Sequence, residues 1–124
     1  MTIEAIGGTN PEGLPLSEAI RAGDFIFVSG MVGFGSDGKI VAGGIASETD
    51  RIIQDLAALL EKAGATLRNV VKVNVFLGSA GDFDAFNRAY AKHFADAPPA
   101  RIGVVTAFTI DARVEMDFIA YVGP

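Results

Sequence analysis

Cysteine is absent from the 124 residues. That excludes disulfides, iron–sulfur clusters, thiolate zinc sites and a cysteine nucleophile. Histidine occurs once, as His93, so one chain cannot assemble a multi-histidine metal site. Positive charge is also scarce: ten Lys+Arg against fifteen Asp+Glu leave a formal net charge of −5. A protein that tracks nucleic-acid phosphates would need a basic surface instead. No apolar run approaches the ~18–20 residues of a membrane span. The densest, residues 70–77, is interrupted by Lys72 and Asn74. Residues 1–13 carry no positive stretch followed by an apolar run, the pattern of a secretory signal. The expectation is a soluble, cytoplasmic protein with no nucleic-acid or membrane partner.

Half of the residues are hydrophobic and a fifth are charged, an ordinary globular balance. No linker, repeat or low-complexity block divides the chain, so residues 1–124 read as a single domain. The first seventeen residues, rich in Gly and Pro, predict a loop-like leader packed on the body. Residues 19–21 and 25–29 flank Ala22-Gly23-Asp24 and predict a β-hairpin. Its second arm, Phe25-Ile26-Phe27-Val28, is continuously apolar and predicts burial on both faces. Ser36-Asp37-Gly38-Lys39 has turn chemistry, with a short strand at residues 39–41. Ser47-Glu48-Thr49-Asp50 has the spacing of a capping box and predicts a helix start there. Ile52, Leu56, Leu59, Leu60 and Ala63 follow as its apolar stripe, and Gly64 suits the left-handed stop.

Residues 70–77 alternate as a strand, with Val71, Val73, Val75 and Leu77 on one side. A second helix spans residues 82–94, with Asp82 as its N-cap and Phe83, Phe86, Tyr90 and Phe94 as its buried stripe. Pro98-Pro99 forces extended backbone, and strands at residues 102–107 and 113–122 close the chain. The pattern predicts an α+β sandwich, a mixed sheet with two helices on one face. Strand residues on the other face are still apolar, which points to closed homo-oligomerisation with ligand pockets at the seams.

Several residues could carry chemistry. Arg101 follows Ala97-Pro98-Pro99-Ala100, so its planar guanidinium starts from a stiff backbone and suits a carboxylate. An exposed arginine or a structural ion pair accounts for the same spacing. Glu115 and Asp117 share one face of the last strand. A carboxylate buried there can trade protons near neutrality, and a solvated strand face is the alternative. The glycines after Ser29-Gly30 do not open a helix, so they make no phosphate loop. Gly30 either admits a ligand close to the backbone or marks a bulge. His93, in the last turn of the second helix, is accounted for by stabilising that helix terminus. Asn87, mid-helix, is accounted for by a hydrogen bond to a neighbouring loop.

Taken in order, these segments resemble the Rid family (YjgF/YER057c/UK114). They are Phe27-Val28-Ser29-Gly30, the helix at residues 49–64, Val70-Val71-Lys72-Val73-Asn74-Val75-Phe76-Leu77, Asp82-Phe83-Asp84-Ala85-Phe86-Asn87 with Tyr90, Pro99-Ala100-Arg101, and Val114-Glu115-Met116-Asp117. The resemblance covers residues 14–122. It implies a homotrimer of chorismate-mutase-like α+β subunits with clefts between subunits, and hydrolysis of enamine and imine intermediates to 2-oxo acids plus ammonia, as in 2-iminobutanoate/2-iminopropanoate deaminases. No cofactor or metal is implied. By the same resemblance, Arg101 holds the substrate carboxylate and Glu115 activates water. Ser29 and Gly30 contribute contacts at the cleft, and Asn87 matches the family's helix asparagine.

The chain departs from the family where Leu16 replaces a pocket tyrosine, where Ile102-Gly103 follows the arginine in place of polar or bulkier residues, and in a slightly shorter loop before the last strand. Leu16 and Gly103 therefore imply a larger or more apolar substrate. A non-catalytic carboxylate binder or regulatory trimer is the alternative. A ribonuclease, an activity attributed to some relatives, is opposed by the acidic charge.

Overall fold

The computed structural model describes residues 2–9 and 13–124. Six strands and two α-helices follow in the order β1 (Ile3–Thr9), β2 (Ser17–Ala22), β3 (Phe25–Met31), α1 (Gly44–Lys62), β4 (Val70–Leu77), α2 (Phe83–Phe94), β5 (Ala100–Val105) and β6 (Val114–Tyr121). One sheet holds all six strands in the order β1-β2-β3-β6-β4-β5. Every pair is antiparallel except β4 and β5, which run parallel and are joined through α2. This is the expected α+β sandwich with a mixed sheet.

The leader differs from its expectation. Residues 3–9 form the edge strand β1, paired with β2 through Ile3↔Ala22 and Ile6↔Ala19. Its glycines suggested a loop, but Ile6 is buried and anchors the strand to the core. Pro11 lies outside the described residues. The β2–β3 hairpin forms as predicted, Ala22 opposite Phe25, with Gly23 at φ +60° in the turn. The strand expected at residues 39–41 is reduced to one bridge, Phe34↔Ile40.

Helix α1 begins before the predicted capping box. Gly43, at φ +111°, is its N-cap, and Ser47 already lies inside the helix. Two consecutive left-handed glycines, Gly43 and Gly44, turn the chain into the helix and leave the serine no capping role. The other end follows expectation. Gly64, at φ +74°, donates to the Glu61 carbonyl and Ala65 donates to that of Leu60, closing the helix in a Schellman motif. In α2 the Asp82 side chain makes no capping bond.

The core lies between the helices and one sheet face. Ile52, Ile53, Leu56 and Leu60 of α1 and Phe86 of α2 meet Ile26, Val73, Val114, Met116 and Phe118, all 1% exposed or less. Truncating a fully buried leucine such as Leu56 to alanine costs about 2–5 kcal/mol. Phe83 departs from the predicted stripe and is 47% exposed. Val71 does as well, because the register shifts between Val70 and Lys72 and turns it out of the alternation.

The opposite sheet face is open and carries a cluster of exposed apolar side chains. Phe25 and Phe27, expected to be buried, are 42% and 45% exposed; Ile102, Val104 and Tyr121 stand out with them. The registers Phe25↔Tyr121, Phe27↔Ile119, Asn74↔Ile102 and Phe76↔Val104 put these side chains on one surface. No helix among the described residues is long and apolar enough to cross a membrane.

Candidate functional site

Arg101 opens β5, the edge strand beyond β4. It pairs with Val73, so its side chain leaves the sheet toward the helices. There the guanidinium carbon lies 4.8 Å from the Tyr90 ring centroid and 5.5 Å from that of Phe86. Two π-faces hold the cation in position. Among the described residues no carboxylate comes within ion-pair distance of Arg101, so its N–H edges are free to meet an anion. The guanidinium borders a cavity of about 410 Å³ lined by Val75, Leu77, Phe83, Phe86, Gly103 and Val105, among others. Among the described residues Arg101 is its only charged lining residue.

The sequence marked Phe86 and Tyr90 as core and missed their second role as the platform under Arg101. The signal was the placement of three aromatics, Phe83, Phe86 and Tyr90, on one face of α2: a stripe longer than the core needs. Tyr90 adds a cost, because its hydroxyl is buried without a hydrogen-bond partner among the described residues. Burial pushes the phenol up, and the nearby Arg101 charge only partly opposes this.

Glu115 lies elsewhere. It pairs with Phe76 on β4, so its side chain leaves the opposite face of the sheet from Arg101. Asp117 shares that face and accepts a hydrogen bond from Asn74 Nδ2 at 2.8 Å. Burial pushes the Glu115 carboxyl above its ordinary value, and the Asp117 charge pushes it further. Gly30 is what lets Glu115 lie there. A Cβ on Gly30 would run into the Glu115 Oε2 atom, with its Cδ at 3.2 Å. Beside Gly30, the Ser29 hydroxyl donates to the Ser17 carbonyl and ties β3 to β2. Leu16, Ser29 and Gly30 line a second cavity, of about 340 Å³, with Met31, Phe34 and Leu59.

The structure therefore gathers the expected residues into two groups. Arg101 and Gly103 form one; Glu115, Ser29, Gly30 and Leu16 form the other. Strand β4 and the thickness of the sheet separate them within a chain. Asn87, half-buried on α2, lines neither cavity.

Glu48 is a buried carboxyl that the sequence presented only as part of a cap. It is 3% exposed and accepts a hydrogen bond from the Arg113 backbone N–H at 2.8 Å. This ties α1 to the start of β6. Burial pushes its carboxyl up; the Arg113 hydrogen bond and charge oppose the shift without cancelling it. His93 is also recast. It meets Asp50 Oδ1 at 2.9 Å, and Lys92 meets Asp50 Oδ2 at 2.9 Å, clipping α2 to α1. Burial pushes the Asp50 carboxyl up, but these hydrogen bonds and charges together hold it below its ordinary value.

A family model described as Endoribonuclease L-PSP matches residues 9–122. The chain belongs to this family. The resemblance to the Rid proteins read from the sequence is thereby confirmed. A RutC family protein of Pyrococcus abyssi is 43% identical over 109 residues, 86% of each chain. A protein of Mus musculus named 2-iminobutanoate/2-iminopropanoate deaminase is 37% identical over 112 residues, 89% of this chain and 83% of its own. The crystal structure of yeast Mmf1 superposes with a TM-score of 0.90 at 33% identity, covering 98% of this chain and 100% of that one. In this Rid-family protein the match spans both residue groups, from β2 to β6.

Proposed function

We propose that this Rid-family protein hydrolyses 2-imino acids and their enamine tautomers to 2-oxo acids and ammonia, in clefts between the subunits of a cytoplasmic homotrimer. The observation that carries the reading is the Arg101 guanidinium, without an ion-pair partner among the described residues and braced on two aromatic rings at the rim of an otherwise apolar cavity. A planar cation so held is preorganised for the carboxylate of a small metabolite. Names of relatives that include an imine deaminase at 37% identity support deamination of reactive intermediates as the general role.

Two features support a composite site. The apolar face bearing Phe25, Phe27, Ile102 and Val104 needs a cover, and copies of this chain would supply one. Arg101 and Glu115, on opposite faces of one sheet, would then meet on a shared substrate when they come from neighbouring copies. Arg101 would bind the carboxylate. Glu115, its carboxyl raised by burial, would take a proton from water as the water oxygen bonds to the imine carbon and the C=N π bond opens, and would pass that proton to the imine nitrogen. In the resulting carbinolamine the hydroxyl proton would move by way of Glu115 to the amino nitrogen as the C–N bond breaks, leaving the 2-oxo acid and ammonia. Water and the imine supply every atom of the products, and no cofactor is part of the reading.

The test generates 2-aminoacrylate with a serine dehydratase and follows pyruvate formation. Acceleration over the spontaneous rate is expected, lost in Glu115→Gln while 2-oxo acid binding persists. Leu16, which places no phenol at the second cavity, favours the alternative of a non-catalytic carboxylate binder; binding without acceleration would establish that reading instead. Salt-sensitive RNA cleavage would establish the ribonuclease reading, which the net charge of −5 opposes.

A further inference from the structure

Gly103 is a glycine that the fold does not require. Its φ is not in the left-handed region. A Cβ built on it would meet only Val75, 3.9 Å from Cβ and 4.0 Å from the carbonyl oxygen, which is ordinary contact. Gly30 and Gly33, by contrast, are crowded by Glu115 and by the Glu48 backbone. A glycine inside a strand weakens it, and a β-branched residue would serve the sheet better. The reason for Gly103 therefore lies outside the backbone.

That reason is space beside Arg101. Gly103 pairs with Val75 as Arg101 pairs with Val73, so both positions face the same side of β5. They are about 6.7 Å apart along the strand. A side chain at 103 would add bulk at the wall of the 410 Å³ cavity, which Phe83 and Val105 also line. With the carboxylate on Arg101, a substrate's own side chain runs over position 103 to those apolar walls. A branched aliphatic or aromatic group has more apolar surface to bury against them than a methyl group has. Phe83, 47% exposed on a helix whose other large apolar residues are buried, is a wall waiting for such a group.

We infer that Gly103 is a specificity-determining residue that opens the Arg101 cavity to 2-imino acids with large apolar side chains, branched aliphatic or aromatic. The inference rests on the proposed deaminase reading and names its substrate class.

The experiment generates imines in situ from alanine, leucine and phenylalanine with an amino-acid oxidase and catalase, and compares wild type, Gly103→Ala and Gly103→Val. The same variants are titrated calorimetrically with pyruvate and 4-methyl-2-oxopentanoate. Wild type is expected to favour the leucine and phenylalanine imines by about tenfold in kcat/KM, the scale at which apolar pockets discriminate. Gly103→Val should lower kcat/KM for the leucine and phenylalanine imines about tenfold more than for the alanine imine and so erase that preference, with Gly103→Ala between them. Thermal melts check that the variants fold.

Turnover without size preference, or equal losses for all substrates in Gly103→Val, overturns the inference and leaves the deaminase reading standing. Discrimination between the two oxo acids that Gly103→Val abolishes, without turnover, sinks the deaminase reading and retains the role of Gly103 in binding. Failure of wild type to prefer the larger oxo acid overturns the inference whatever the turnover.

Discussion

Substitution of Arg101 separates binding from folding. The guanidinium touches two aromatic faces and has no ion-pair partner among the described residues. In Arg101→Ala the fold loses two exposed cation–π contacts, each worth about 0.5–1 kcal/mol. At roughly 4 °C per kcal/mol for a domain of this size, the melting temperature should fall by about 4–8 °C. The ligand loses far more. Each charge-assisted hydrogen bond to a carboxylate contributes about 1.5–3 kcal/mol. Loss of one such bond in Arg101→Lys should weaken 2-oxo acid binding by about 10–150-fold, and loss of both in Arg101→Ala by more than ~100-fold. Isothermal titration with 4-methyl-2-oxopentanoate, paired with differential scanning calorimetry, reads both quantities. The reasoning is refuted if Arg101→Ala binds the acid as wild type does, or if Arg101→Lys is indistinguishable from wild type, since either result removes the planar fork from recognition.

Other residues give predictions of their own. Tyr90→Phe keeps the ring under Arg101 and removes a buried hydroxyl without a partner. It should raise stability by about 1 kcal/mol, measured by urea denaturation, with unchanged 2-oxo acid affinity. Loss of stability would mean that the hydroxyl has a partner in solution. Glu48 has a carboxyl raised above its ordinary value of 4.5 by burial. The folded chain holds that proton more tightly than the unfolded chain, so stability is highest when Glu48 is protonated and falls as pH rises from 4.5 through the folded value. Glu48→Gln keeps an acceptor for the Arg113 N–H and escapes this penalty. Its melting temperature relative to wild type should therefore climb between pH 4 and pH 8, and a relative decline would contradict the assignment.

Much of the architecture was legible because local signals agreed with tertiary demands. The stripe from Ile52 to Leu60, the stop at Gly64 and the alternation in β6 each read correctly. The misses have physical causes. Strand β1 is held mainly by pairing with β2 and by one buried residue, Ile6, so its glycines outweighed a weak pattern. Val71 left the alternation through a bulge that only the partner strand reveals. Ser47-Glu48-Thr49-Asp50 imitated a cap while Glu48 bonded to a residue far along the chain. The site was legible as a set of residue types but not as geometry. Arg101 and Glu115 carry the right chemistry, but spacing cannot disclose that they point to opposite sides of a sheet.

A subunit-mixing experiment tests the composite site most directly. Arg101→Ala and Glu115→Gln variants, each inactive alone, are unfolded together in equal amounts, refolded, and assayed for imine hydrolysis. A cleft that draws Arg101 from one copy and Glu115 from its neighbour predicts recovery of about a quarter of wild-type activity, since random assembly gives one cleft in four both intact residues. A mixture no more active than its two components would contradict the account, by assigning both residues to the same chain's chemistry or to none.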